Sequence, residues 1–221
     1  MIHIVTCAYK AWEWAERHVE AIRNQEGEFI HHVGIDGCER TLEAYNGLQH
    51  DKMKLYYTHE NIGKSMLQNT VIDFLPDNAN VLTFDADDFI AEGTVKRLTK
   101  LSNRMPLLSK LAYSNNGKKM DGYANGVLFF KKSFYIQMGG FNTLLKVSED
   151  TDFIKRVKAR HGILPHRVIG IPSFYRTVHD ASLSHSDNKD FRKTQRMYSD
   201  EQLRLRKYQI DFVTSNKIRE V

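Results

Sequence analysis

Cysteine and proline are scarce in this chain: among 221 residues there are two Cys and four Pro. Cys7 and Cys38 are too few to staple a secreted disulfide scaffold and lack metal-ligand spacing, so reduced thiols are expected. No apolar stretch approaches the roughly 18 to 20 residues needed to cross a bilayer. The opening Met1-Ile2-His3-Ile4-Val5 has strand composition rather than the charged start and long apolar centre of a signal peptide, so a soluble, cytoplasmic protein is expected. Gly-x-Gly-x-x-Gly is absent, and so is the Gly-x-x-x-x-Gly-Lys of a P-loop, which removes two common nucleotide-binding signatures. What is present is the composition of a globular chain, with 41% hydrophobic and 27% charged residues, enough to build a core without staples. A formal net charge of +5 favours anionic partners such as nucleotides, nucleic acid or lipid headgroups.

The first half alternates strand and helix patterns. Strand composition is found at Ile2 to Ala8, Phe29 to Ile35, Lys54 to Thr58 and Asn80 to Phe84. Helical spacing occupies Trp12 to Gln25, the stretch near Arg40 to Leu48, and the segment opened by Asn61-Ile62-Gly63. Such alternation predicts an α/β fold with a doubly wound, mostly parallel sheet and helices on both faces. Ligands bind such sheets beyond the carboxyl ends of the strands, which places Thr6 to Tyr9, Asp36 and Asp85 to Asp88 on one rim. Beyond Pro106 the pattern becomes mixed α+β: extended from Leu107 to Ser114, turning at Asn116-Gly117, extended again from Gly122 to Phe130, and helical from Lys132 to Met138 and Glu149 to Arg160. Residues 1–185 are read as one domain with halves at about 1–104 and 105–185, followed by a basic helical extension over 186–221.

Four features carry candidate chemistry. Val81 to Phe84 is an apolar strand ending in Asp85-Ala86-Asp87-Asp88, and carboxylates at a strand end suit Mg²⁺ or Mn²⁺, which prefer oxygen ligands; a turn is the structural alternative. Ser148-Glu149-Asp150-Thr151-Asp152 places acids at a helix start, where they complement the dipole with or without a catalytic role. Asn61-Ile62-Gly63-Lys64-Ser65 offers a helix N-terminus with a Lys for a phosphate. Tyr175 to Ser182 sets Arg176, His179 and Ser182 in a polar loop.

Taken together and in this order, these features resemble the family 2 glycosyltransferases, whose fold is the GT-A type. Ile4 to Tyr9 is similar to the family's first strand and nucleotide loop, Gly34 to Cys38 to its second strand, and Asn61 through Asn69 to its Asn-x-Gly segment with a following Asn. Phe84 to Asp88 stands where the family has its metal-binding Asp-x-Asp, Gly126 to Asn142 resembles the stretch before the catalytic helix, and Glu149-Asp150 resembles the Glu-Asp motif. Tyr175 to Ser184 is similar to a late Arg-x-His-x-x-Ser signature with one extra residue between Arg176 and His179. The family's usual Asp-Gly-Ser-x-Asp is replaced by Asp36-Gly37-Cys38-Glu39-Arg40.

The resemblance implies inverting, metal-dependent transfer of a sugar from a nucleoside diphosphate sugar, UDP-linked by preference, to an acceptor hydroxyl on a glycan, a lipid-linked saccharide or modified DNA. It implies Asp150 as general base and Asp85, Asp87 and His179 as ligands of Mn²⁺ or Mg²⁺. Thr6, Ala8, Tyr9, Asp36, Asn61, Gly63, Lys64, Asp85 and Ala86 would bind the nucleotide sugar, with Glu149, Arg176 and Ser182 on the acceptor or diphosphate side. The helix dipole is expected to hold the Asp150 carboxyl down and ionised near neutrality. A nucleotidyltransferase would require a glycine-rich loop where Thr6 to Trp12 stands. A nucleic-acid-binding protein, using Arg192, Lys193, Arg196, Arg204, Arg206 and Lys207 of the extension, is the alternative reading.

Overall fold

Ile2–Ala8 forms β1, and its β-branched run is buried on both faces as the middle of a parallel sheet demands. Phe29–Asp36 (β2) and Asn80–Asp85 (β4) pair with it in parallel on either side, and Met53–Thr58 (β3) adds in parallel to β2. Helices cross between them: α1 (Ala15–Arg23), α2 (Glu39–Asn46) and α3 (Lys64–Asp73). This computed structural model describes residues 1–102, 107–109, 112–115, 118–123, 127–145, 148–161, 166–167, 174–177 and 218–220. The later elements are β5 (Phe89–Ile90), α4 (Thr94–Leu101), β6 (Leu107–Ser109), β7 (Ala112–Asn115), β8 (Lys118–Tyr123), β9 (Phe129–Lys131), α5 (Lys132–Gln137), α6 (Glu149–His161), β10 (His166–Arg167), β11 (Phe174–Arg176) and β12 (Ile218–Glu220).

The main sheet has eight strands in the order β10-β6-β9-β4-β1-β2-β3-β12, and a second sheet has the order β5-β11-β7-β8. The expected alternation of strand and helix is present from β1 to β4. β9 enters antiparallel between β4 and β6, so the two halves share one sheet. β7 and β8 flank Asn116-Gly117 and pair antiparallel, as that turn signal predicts. Within the expected helical extension, Ile218–Glu220 is instead a strand paired antiparallel to β3; the helix expected from Phe191 to Phe212 lies outside the described residues. Among the described residues no helix is long and apolar enough to cross a membrane.

Strand alternation assigns the two faces. Val5, Tyr56 and Val81 meet α3 through Leu67 and Val71. Each such fully buried aliphatic side chain contributes roughly 1.5 to 3 kcal/mol. α3 packs so closely that a Cβ on Gly34 would lie 2.9 Å from Leu67 Cγ, which is why the strand carries glycine there. On the opposite face Ile4, Ile22 and Phe84 form one cluster and Ala15, Val19, Ile35 and Tyr45 another.

Histidines thread the same sheet. On the α3 face, His3 Nδ1 lies 3.0 Å from His32 Nε2, and His32 Nδ1 lies 3.1 Å from the Tyr56 hydroxyl. On the other face, Thr6 Oγ1 is 3.1 Å from His18 Nε2 and 3.3 Å from His31 Nε2. His18 Nδ1 must donate to the Asp88 carbonyl, 3.0 Å away, since a carbonyl only accepts. Its Nε2 therefore accepts from the Thr6 hydroxyl, which in turn accepts from His31 Nε2. Burial keeps these rings neutral, holding His18 down at about 4 and His32 at about 3.

Candidate active site

The carboxyl ends of β1, β2 and β4 open onto a common rim. On the α3 face of this rim stand Cys7 and Asp85, which are register partners on β1 and β4. The Cys7 thiol is pushed up by burial and then by the Asp36 carboxylate, so it is an inert neighbour rather than a nucleophile. Cys7 and Cys38 are both free thiols.

Asp36 ends β2 buried, and its two oxygens accept the backbone N–H groups of Ile62 (2.7 Å) and Gly63 (3.0 Å). Burial raises its carboxyl, against the lowering effect of those N–H donors. The carboxylate thus anchors the 61–63 loop ahead of α3. Gly37 is required beside it: its φ is +63°, and a Cβ there would collide with the backbone of Glu60 and Asn61. The loop after β1 is tied to the start of α2 by Ala11 N–H to Thr41 Oγ1 (3.1 Å) and by Arg40, whose guanidinium stands 4.3 Å from the Trp12 ring centre. Cys38 stands at the N-cap of α2. Burial pushes its thiol up, but hydrogen bonds from the Thr41 side chain and from nearby backbone N–H groups outweigh this and leave it below the ordinary value.

The last residue of β4 and the three that follow it supply the acids. Oxygens of Asp85, Asp87 and Asp88 all lie within 4.8 Å of one another. Asp88 accepts the Thr177 N–H at 2.8 Å, while burial, followed by the charges of Asp85 and Asp87, pushes its carboxyl up to about 8. Three carboxylates crowded this closely are a donor set matched to a hard divalent cation. Asp88 was not among the metal ligands expected from sequence, although the run of acids carried the signal. His18, which fastens the Asp88 carbonyl to the core, gave none.

Across the rim, α6 begins with Glu149 and Asp150. Lys64, the first residue of α3, lies 2.6 Å from Asp85 Oδ1 and 3.0 Å from Glu149 Oε1, so one ammonium joins the two acidic groups. Asp150 Oδ1 accepts the Thr151 N–H at 2.5 Å. Burial, then the charge of Glu149, pushes the Asp150 carboxyl up to about 6. This corrects the expectation that the helix dipole would hold it down: a surface dipole is worth about 0.3 to 1 kcal/mol, whereas burial moves a carboxyl by several pH units. Arg156 of α6 pairs with Asp152 at 2.8 Å and donates to the carbonyls of Met138 and Gly140. Asn69, the Asn after Asn-x-Gly, is fully buried; its amide donates to the Phe141 carbonyl at 2.9 Å and its oxygen accepts from Phe141 N–H and the Tyr135 hydroxyl. Its place in the structure is to lock α3 to the turn that precedes α6.

Not every expected contact faces the rim. Thr6 is fully buried in the histidine network, and Ala8 and Ala86 pack together in the core on the α1 and α2 side. Any contact from these residues to a ligand would come from the backbone. Tyr9 is 48% exposed and Asn61 is exposed. Arg176 is half-buried and its charge lowers the Asp88 carboxyl. His179 and Ser182 lie outside the described residues.

No protein-family profile and no curated protein matches the sequence. Solved structures do. Residues 1–349 of S. aureus TarS match with a TM-score of 0.65 at 15% identity, over 80% of this chain and 60% of that one. The mannosyltransferase PcManGT from Pyrobaculum calidifontis, in complex with GDP-Man and Mn²⁺, matches with a TM-score of 0.67 at 16% identity, over 82% of this chain and 58% of that one. The chain thus spans about three fifths of the length of these structures. It has the GT-A-like fold of these glycosyltransferases, a mixed α/β architecture around a mostly parallel sheet.

Proposed function

We propose that the chain transfers a sugar from a nucleoside diphosphate sugar to an acceptor hydroxyl with inversion at the anomeric carbon, residues 1–185 forming the transferase domain. The observation that carries this reading is the Lys64 bridge, which sets the Asp85 to Asp88 carboxylates and the start of α6 on one rim. A donor diphosphate held at the end of β4 would then present its anomeric carbon toward Asp150.

Asp150 is the general base: with a carboxyl at about 6 it is ionised at neutral pH, yet a stronger proton acceptor than an ordinary aspartate, as general-base work favours. Asp85, Asp87 and Asp88 hold the divalent cation, which when bound supplies neutralising charge to the departing diphosphate. Asp36 holds the 61–63 loop in place at the nucleoside end, and the exposed ring of Tyr9 offers a face on which a base stacks. The solved mannosyltransferase that shares this fold carries GDP-Man and Mn²⁺, which supports a sugar nucleotide and a manganese-like cation as the ligands.

Calorimetric titration of UDP and of GDP, with and without Mn²⁺, on the parent protein and on Asp87→Asn tests the proposal. Metal-dependent binding of one nucleotide, lost in Asp87→Asn, is the expected result. Absence of nucleotide binding under all conditions would overturn it.

A further inference from the structure

Lys64 opens α3, where the sequence offers a helix start to a phosphate, yet its charge is already committed. Its ammonium touches two carboxylates from separate parts of the fold, Asp85 at the end of β4 and Glu149 at the start of α6. The two ends of the bridge differ. Glu149 is 8% exposed, while Asp85 and Lys64 are each 30% exposed. The pair with Glu149 is therefore the less screened, and the pair with Asp85 opens toward the other two acids of the rim.

An ammonium 2.6 Å from Asp85 Oδ1 and a divalent cation on the same carboxylate group would repel each other. The cation takes oxygen ligands at about 2.0 to 2.6 Å, within the space that the ammonium fills. We propose that Lys64 is an intramolecular counterion that competes with the divalent cation for Asp85 and is retained by Glu149 when the cation binds. This rests on the reading of Asp85, Asp87 and Asp88 as the cation site. In the free protein Lys64 neutralises Asp85 and joins β4 to α6. With the cation in place the ammonium stays with Glu149, next to Asp150, and no longer shares its charge with Asp85. Lys64 acts through its two carboxylate partners and is a positioning residue.

The test is Mn²⁺ binding followed by electron paramagnetic resonance, without nucleotide, on the parent, Lys64→Met, Lys64→Arg, Glu149→Gln and the Lys64→Met/Glu149→Gln double variant, each shown to be folded by its thermal transition. Removal of the competitor is expected to tighten Mn²⁺ binding about five- to tenfold in Lys64→Met, a change on the scale of one partly screened charge pair. Lys64→Arg keeps the competing charge and stays within about twofold of the parent, on the same reasoning. Glu149→Gln leaves Lys64 only Asp85 as a partner and weakens Mn²⁺ binding, an effect that disappears once Lys64 is also gone. Unchanged or weaker binding in Lys64→Met would overturn the proposal, since it would make the lysine a support for the site rather than a competitor. A tightening shared by Lys64→Arg would overturn it too, and so would a Glu149→Gln effect as large or larger in the Lys64→Met background, which is what loss of a bare negative charge predicts. If the parent and every variant fail to bind Mn²⁺, the cation site itself falls and this inference with it, an outcome distinct from all the others.

Discussion

Replacing Asp150 by Asn offers a test of the site's electrostatics that needs no substrate. Burial and the neighbouring Glu149 raise this carboxyl from 3.8 to about 6, so ionising it costs the folded state more than the unfolded chain. The linkage has a definite sign. A carboxyl whose folded value is raised binds protons more tightly in the native state, so its penalty is complete above about pH 6 and fades as the pH falls through 6 toward 3.8. At about 1.36 kcal/mol per pH unit the penalty is about 3 kcal/mol at pH 8 and about 0.5 kcal/mol at pH 4. Asn keeps an oxygen to accept the Thr151 N–H and carries no charge. Asp150→Asn is therefore expected to stabilise the protein by about 3 kcal/mol at pH 8 and by well under 1 kcal/mol at pH 4, as measured by urea unfolding at each pH. In the same variant, transfer to an acceptor should fall about 10²- to 10⁴-fold, the pattern of a residue whose strain serves chemistry. A stabilisation that is absent, or equal at the two pH values, would refute the claim that burial sets this group's affinity for protons.

Two further perturbations follow from the same geometry. Gly37→Ala combines a positive φ with a collision against the Glu60 and Asn61 backbone, so it should destabilise by about 2 kcal/mol or more and weaken nucleotide binding in calorimetry by displacing the loop that Asp36 holds; a neutral outcome would remove Gly37 from the argument. His18 and His32 are held below their unfolded value, at about 4 and about 3, so their stabilising contribution is present above pH 6.5 and lost below it, by about 4 kcal/mol together between pH 7 and 5. Asp88, raised to about 8, works oppositely and regains about 3 kcal/mol over that window. The stability advantage of Asp88→Asn over the parent should therefore shrink by about 3 kcal/mol from pH 7 to 5; parallel curves would contradict the assignment.

The parts of this fold that were legible in the sequence are those set by local pattern. β1 to β4 declare themselves as apolar runs bounded by turn residues, and Asp85 and Asp87 stand where such a run ends. What pattern cannot convey is pairing partner and depth. Phe129 and Phe130 read as extended, yet nothing local states that their strand inserts antiparallel between β4 and β6. α4 was not expected at all: only Val95, Leu98 and Leu101 mark its apolar side among threonines and basic residues. Thr6 belongs to the right loop by position, but a strand buried on both faces gives no periodic cue that its hydroxyl faces two histidines instead of the rim. Asp150 shows the same limit in energetic form, for its place at a helix start is readable and the burial that outweighs the dipole is not.

Depth also decides what holds Asp150 in place. α6 could be regarded as an appendage of the second half, attached through the turn at Gly139 and Gly140. The contacts point the other way. Arg156 grips the Met138 and Gly140 carbonyls, Asn69 of α3 captures both backbone groups of Phe141, and Lys64 of the same helix reaches Glu149. α3 thus bears on α6 and the turn before it twice, once through a neutral buried amide and once through a charged bridge at the rim. The amide has no dependence on ligand, so it fixes the distance between α3 and the turn before α6. The bridge shares a carboxylate with the proposed cation site, so its strength changes with occupancy. Under the proposed reading, α3 therefore carries one attachment that a ligand leaves unchanged and one whose strength follows occupancy of the cation site, and both act on the helix that begins with Glu149 and Asp150.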